Sequence, residues 1–236
     1  MSFTNLYLVN PKLDTATASE IAAVEKSLGL KLPQSYAEFV RKFGSGALCG
    51  HIRVYHPRTL VKVCQQFRER VAEYYFWKES PGTLSKQQVM EAVPIADTFG
   101  GAEVILHPSD PKTLYLLPRD EEEIRRLGSD LEEAFANVLV WCGETNSRWY
   151  LDSGQECQTF VLARIKKRPN LLKTKEALLK LAPSALVDET DSRGDWTVVI
   201  FLESIGGDVT LEGTKTCFSA AIHTSKEDST ALCEVF

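Results

Sequence analysis

Between Ser19 and Leu48 the hydrophobic positions keep two helical periods, broken by a glycine and a proline. Ile21, Val24 and Leu28 recur at i, i+3 and i+7, which places them on one face of a short helix. Ser19 stands where an N-cap belongs, and Gly29 follows the last apolar position as a C′ glycine does. Leu30-Lys31-Leu32 reads as an extended link, since the residue before a proline avoids the helical region. Pro33 suits the first position of a second helix, where its missing N–H costs nothing. Tyr36, Phe39, Val40 and Phe43 then form a second apolar face, and Gly44-Ser45-Gly46 ends it. The pattern predicts an αα-hairpin made of residues 19–28 and 33–43, turning a corner between Gly29 and Pro33.

Downstream the period changes. "HIRVYHP" alternates, with Ile52 and Val54 on one face and His51, Arg53 and Tyr55 on the other, so it predicts a strand. "LVKVCQQFRERVAEYYFW" returns to helical spacing through Leu60, Val63, Phe67, Val71 and Tyr74. "VPIADTFGGAEVILHP" and "TLYLLPRD" predict two or three strands, with turns at Gly100-Gly101 and at Ser109-Asp110-Pro111. "DEEEIRRLGSDLEEAFANVLVW" predicts a helix with Leu131, Phe135, Val138 and Leu139 inward and the acidic run Asp120 to Glu123 at its start. In the last third, "QTFVLARIKK" predicts a strand and "NLLKTKEALLKLA" a short helix. "ALVDETDSRGDWTVVIFLE" predicts a hairpin turning at Arg193-Gly194-Asp195, and "TKTCFSAAIHT" a further strand.

The literal pattern of the hairpin is "I-x-x-V-E-x-x-L-G-x-x-L-P-x-x-Y-x-x-F-V-x-x-F-G-S-G". It resembles the N-terminal signature of the SUKH superfamily, the Smi/Knr group. Ile21, Glu25, Leu28, Gly29, Leu32, Pro33, Tyr36, Phe39 and Gly46 fall on the signature positions, and Gly-Ser-Gly replaces the group's usual Asn-Gly after the second helix. The resemblance implies a helical hairpin, a mostly antiparallel sheet and a late helix carrying acidic residues and a phenylalanine. It is specific over residues 19–46, loose to about residue 141, and covers nothing of 158–236. The expected fold class is α+β. It comprises a SUKH-like domain over residues 1–155, with the helical hairpin packed on the sheet, and a smaller α+β extension of unknown type over 156–236. That second part is expected either as a unit beside the first or as an extension of its sheet.

Composition narrows the function classes. The chain has 236 residues, 44% hydrophobic and 25% charged, with a formal net charge of −5. An acidic balance argues against general binding to nucleic acid or to an anionic membrane, and suits a basic partner. No apolar run is long enough to span a bilayer, and the first residues lack the basic and apolar regions of a secretory signal. The six cysteines never form a C-x-x-C pair, which fits reduced thiols in the cytoplasm.

Candidate chemistry is sparse. Cys49, His51, His56 and Cys64 have metal-ligand donors, but their spacing matches no zinc pattern, and the two histidines would point to opposite faces of one strand. No signature marks a Cys–His nucleophile. Gly100-Gly101 lacks phosphate-loop spacing. Asp120 to Glu123, placed at a helix start, fits the macrodipole and also a partner surface. The basic run Arg164, Lys166, Lys167 and Arg168 has no interleaved aromatics. Tyr74-Tyr75-Phe76-Trp77 cannot all face one core, so a ring there is expected in solvent or against a partner.

No catalytic, metal or cofactor site is therefore expected. The resemblance implies a binding protein, most often a bacterial immunity protein that covers a cognate toxin domain, such as a nuclease or deaminase. A regulator or scaffold of the same group, or an enzyme with its site in the C-terminal region, stays open as an alternative. The expected binding surface is the sheet face left free by the helices. It would consist of His51, Arg53 and Tyr55, with Asp97, Glu103, Asp120, Glu121, Glu122 and Glu123 beside them.

Overall fold

The computed structural model describes residues 3–9, 13–79, 82–143, 149–152, 158–162, 171–181, 186–192, 195–202, 207–213 and 218–224. The chain divides into two compact units: Met1–Leu6 with Lys12–Gly154, and Tyr7–Pro11 with Gln155–Phe236. The short strand β1 (Tyr7–Leu8) thus counts with the second unit.

In the first unit the predicted hairpin is present as α1 (Ala18–Leu28) and α2 (Gln34–Phe43). The N-cap of α1 is Thr17 rather than Ser19. The Thr17 hydroxyl accepts from the Glu20 N–H at 3.2 Å, and the Glu20 carboxylate accepts from the Thr17 N–H at 2.8 Å. This reciprocal capping box satisfies two donors at once, which Ser19 could not do alone. Gly29 closes the helix at φ 67°, in the left-handed region. Pro33 sits just before α2 as its cap residue rather than inside it. Glu25 fixes the corner: one carboxylate oxygen accepts from the Leu32 N–H at 3.1 Å and the other from Lys31 Nζ at 2.5 Å. The Leu30 N–H also donates to the Glu25 carbonyl at 3.2 Å, so backbone and side chain of one residue both tie the extended link back to the helix. Thr17→Ala should cost about 1 kcal/mol of stability, measured by urea unfolding.

Tyr36, Phe39, Val40 and Phe43 are all buried, each worth about 1.5–3 kcal/mol relative to exposure. Phe39 lies 5.0 Å from Phe43, 5.9 Å from Phe135 and 5.6 Å from Tyr150, ring centre to ring centre. The Tyr36 hydroxyl donates to the Tyr55 carbonyl at 2.6 Å.

The sheet follows as β2 (Gly46–Leu48), β3 (Ile52–Val54), β4 (Val93–Thr98), β5 (Glu103–His107), β6 (Asp110–Leu117), β7 (Arg125–Gly128) and β8 (Trp149–Asp152). They lie in the order β8-β2-β3-β4-β5-β6-β7, each neighbouring pair antiparallel. Between β3 and β4 run α3 (Leu60–Tyr74) and α4 (Lys86–Glu91); α5 (Leu131–Trp141) precedes β8. Every residue of β4 and β5 is buried, so both sheet faces are covered there. Phe67 and Val71 of α3 and Val89 of α4 pack on Ile105, Tyr115 and Leu117 of the sheet. The face expected to be free therefore carries α3 and α4.

The acidic run does not begin a helix. Asp120 to Glu123 occupy the connection between β6 and β7, and α5 starts at Leu131 behind Asp130. The Asp130 carboxylate accepts from the Glu132 and Glu133 N–H groups at 2.8 and 3.2 Å. Gly128-Ser129-Asp130 is a stop followed by a cap, and it places the macrodipole's acidic partners at Glu132 and Glu133.

The second unit holds β9 (Gln158–Leu162), α6 (Leu171–Leu181), β10 (Leu186–Ser192), β11 (Asp195–Leu202), β12 (Gly207–Gly213) and β13 (Phe218–Thr224). Its antiparallel sheet runs β10-β11-β12-β13-β9 and is separate from that of the first unit. β12 was not predicted. Its only large apolar residues, Val209 and Leu211, face Ile200 and Val198 of β11 and are buried. The basic run 164–168, the turn residues 193–194 and Cys157, Cys217 and Cys233 lie outside the described residues.

Candidate functional site: a charged cleft between α3 and the sheet

Alternation along β3 buries Ile52 and Val54 and turns Arg53 to the opposite face. Antiparallel register then sets Arg53 beside Asp97 of β4, and Asp97 beside Glu103 of β5. Three strands thus deliver one row of charges. The Arg53 guanidinium grips Asp97 with two hydrogen bonds, Nε to Oδ1 at 2.8 Å and Nη2 to Oδ2. Arg70, from α3, donates through Nη2 to Glu103 Oε1. Both carboxylates are only 8% exposed, whereas both arginine side chains are about half exposed.

Burial pushes the Glu103 carboxyl up to about 7; the neighbouring Arg70 pulls it down and the Asp97 carboxylate pushes it further up. Tyr55 follows β3 and is held by its N–H to the Ile95 carbonyl at 3.0 Å. Burial first, and then the charge of Asp97, raise its phenol well above the usual range. Arg53 also lies over the Phe99 ring at 5.7 Å.

The row is the floor of a cleft of about 840 Å³. Val63, Gln66, Arg70 and Val71 of α3 form one wall, and Gly101, Arg119 and Asp120 belong to the other side. A Cβ on Gly101, at φ 89°, would stand 3.0 Å from Arg119 Cδ, so this turn needs glycine for the arginine to lie against it. Tyr74, Phe76 and Trp77 complete the lining. The indole N–H of Trp77 donates to the Pro118 carbonyl at 2.8 Å, and its ring packs on Tyr75 and Phe76 at 5.6 and 4.5 Å. Tyr74 and Phe76 stay 65% and 43% exposed. The aromatic run divides as its composition required, two rings inward and two outward.

Of the residues expected at a binding surface, the cleft gathers Arg53, Tyr55, Asp97, Glu103 and Asp120. His51 is half-buried in the turn before β3, where its carbonyl accepts from the Phe99 N–H at 3.1 Å, and it does not line the cleft. Glu121, Glu122 and Glu123 do not line it either. Glu121 accepts from Arg125 Nη2 at 2.5 Å and from Trp141 Nε1 at 3.0 Å, and Arg125 holds its carboxyl below the usual range. Glu122 pairs with Lys78, and Glu123 forms an isolated bridge with the same lysine. Sequence reasoning missed Arg70 and Arg119. Arg70 precedes the buried Val71 on α3 and so sits at the edge of the apolar stripe, the one signal the sequence offered.

Cys49 and Cys64 are buried thiols, and burial pushes Cys64 up to about 11, so it is protonated at neutral pH. His56 is buried as the cap of the 3-10 turn Pro57–Thr59, its Nδ1 accepting from the Arg58 N–H at 3.2 Å. Among the described residues no cluster of three or more His, Cys, Asp or Glu is placed to hold a metal ion, and no helix is long and apolar enough to cross a membrane. The cleft is lined by guanidinium, carboxylate, phenol and indole groups.

A helical hairpin on an antiparallel sheet, with a charged cleft beside its longest helix, defines an α+β domain. The family model of the SMI1 / KNR4 family (SUKH-1) matches residues 15–137, more than half of the chain, and the chain belongs to that family. Its members are generally non-catalytic and often bind protein partners. A comparison with curated proteins finds no match.

Proposed function

We propose that the chain is a cytoplasmic immunity-type protein that neutralises a cognate toxin domain by covering it, with the cleft at the centre of the contact. The observation that carries this reading is the exposure of Tyr74 and Phe76 at a cleft floored by Arg53, Asp97, Glu103 and Arg70. Large apolar rings left in water at a cleft mark a surface for a partner, and Tyr, Trp and Arg are the types that most often anchor protein interfaces. Arg53, Tyr55, Asp97, Glu103 and Asp120 belong to the contact; His51 and Glu121 to Glu123, which do not line the cleft, do not. The net charge of −5 favours a basic protein partner over nucleic acid and speeds the encounter.

The test begins in the native host. A co-purified protein that arrests growth when expressed alone, and no longer does so when this chain is co-expressed, is the expected partner. Tyr74→Ala combined with Phe76→Ala should weaken that complex by about tenfold to a hundredfold while costing no more than about 1.5 kcal/mol of stability, the value of the Phe76–Trp77 ring contact. Unchanged affinity in the folded double variant would move the surface away from the cleft.

A further inference from the structure

The four charges on the cleft floor are not equivalent. Asp97 and Glu103 stand directly opposite each other on β4 and β5, where like charges repel. Both are fixed by the sheet and nearly buried. Arg53 answers Asp97 with a two-point grip, but Glu103 receives a single hydrogen bond, from an arginine on a different element. Arg70 is half exposed on a long, rotatable stem, so it can leave for water at small cost. The immovable part of the site is negative, and the counter-charge at one end is removable.

Arg70 from α3 and Asp97 from β4 act directly on Glu103, Tyr55 lies within its field, and Arg53, Arg119 and Asp120 are the other charged groups lining the same cleft. The lining also includes Tyr74, Phe76 and Trp77, whose ring faces attract cations. Beside the cleft, the two floor arginines already lie over rings: Arg53 over Phe99, and Arg70 over Phe67 at 5.8 Å.

We propose that the cleft receives a cationic side chain of the partner protein, an arginine or a lysine, whose head group takes the place of Arg70 on Glu103 against the aromatic lining. This rests on the reading of the cleft as the partner surface. Arg70 is then an internal stand-in that keeps Glu103 paired until the partner arrives. A pH dependence follows. The cation needs Glu103 ionised, and this carboxyl titrates near 7, so binding strengthens as pH rises through that value. Below it a proton competes, and affinity falls by up to about tenfold per pH unit.

The probe is Nα-acetylarginine methylamide, titrated into the full chain and followed by NMR at pH 8 and pH 6. Its citrulline counterpart, a neutral group of the same shape, and inorganic phosphate serve as controls. The arginine probe should shift the amides of Asp97 and Glu103 and the indole signal of Trp77, bind several-fold more weakly at pH 6, and outcompete citrulline. Glu103→Gln should weaken the probe about tenfold or more and abolish the pH dependence. Arg70→Gln should strengthen it, because the internal competitor is gone; a purely structural Arg70 would give no gain. Equal binding of citrulline, phosphate shifting the same signals, an unchanged Glu103→Gln titration, or no response at the cleft would each overturn the proposal. If the probe fails while Tyr74→Ala with Phe76→Ala still loses the toxin partner, the cleft remains the partner surface and only its cationic occupant is wrong.

Discussion

Phe39→Ala should remove about 3–5 kcal/mol of stability from the first unit, a large part of the 5–15 kcal/mol that holds a typical domain. Phe39 is a ring on which several elements of this unit meet. It touches Phe3 at 4.8 Å and Phe43 at 5.0 Å, and it meets Phe135 of α5 and Tyr150 of β8 edge to face. Each of those pairs adds about 0.5–1.5 kcal/mol beyond the area it buries. Removing the ring also leaves a cavity that four large neighbours, themselves anchored on four elements, cannot collapse to fill. Urea unfolding followed by tryptophan fluorescence measures it, because three of the four tryptophans, Trp77, Trp141 and Trp149, lie in this unit. The midpoint should fall with an unchanged slope. A loss below about 1 kcal/mol would mean that the ring is not packed as described.

Phe39 was legible from the sequence, and the contrast with the cleft explains what a sequence can carry. The hairpin rests on local signals: a 3.6-residue period on each side, a glycine at the end of one helix and a proline before the next. Its boundary moved by one residue at the start because Ser19 competes with Thr17, and only Thr17 has a glutamate three places on. The cleft rests on non-local facts. Alternation along β3 was enough to turn Arg53 away from Ile52 and Val54. Its meeting with Asp97 depends on register across 44 residues, and the meeting of Glu103 with Arg70 depends on which side of the sheet α3 takes. The period of α3 gives its apolar stripe but not its destination. For that reason the sheet face with Glu103 was expected to be open and instead lies under α3, leaving a cleft. The acidic run shows a further limit. Four consecutive carboxylates before an apolar period fit a helix start, yet the stop and cap at Gly128-Ser129-Asp130 prevailed, and Glu121 and Glu122 became ion-pair partners of Arg125 and Lys78. β12 escaped because two buried residues between terminal glycines give too short an alternation to read.

Gly44→Ala should be as damaging as the loss of a core ring, about 3 kcal/mol or more, although it adds only a methyl group. Gly44 ends α2 at φ 74° and ψ −147°, in a region of backbone space that is nearly exclusive to glycine. Its N–H donates to the Val40 carbonyl at 2.9 Å, and its own carbonyl accepts from the Tyr150 hydroxyl at 3.1 Å. Both the end of the helix and the entry into β2 are therefore fixed through this residue. A Cβ would stand 2.0 Å from the Asp14 carbonyl oxygen, a backbone atom that cannot turn aside as a side chain would. Relief requires moving the irregular segment before α1, where the Ala16 N–H donates to the Val40 carbonyl at 2.9 Å, so the helix end and its neighbour would be disturbed together. Here the Gly-Ser-Gly that replaces the family's usual Asn-Gly has a physical reason: the first glycine lets two backbones touch, and no side chain fits between them. Gly29→Ala provides the control. That glycine is also left-handed but has no atom within 4 Å of a Cβ, so it should cost only about 1 kcal/mol. Thermal or urea unfolding of the two variants separates backbone strain from backbone contact, and equal losses would show that the approach of Asp14 to Gly44 contributes nothing.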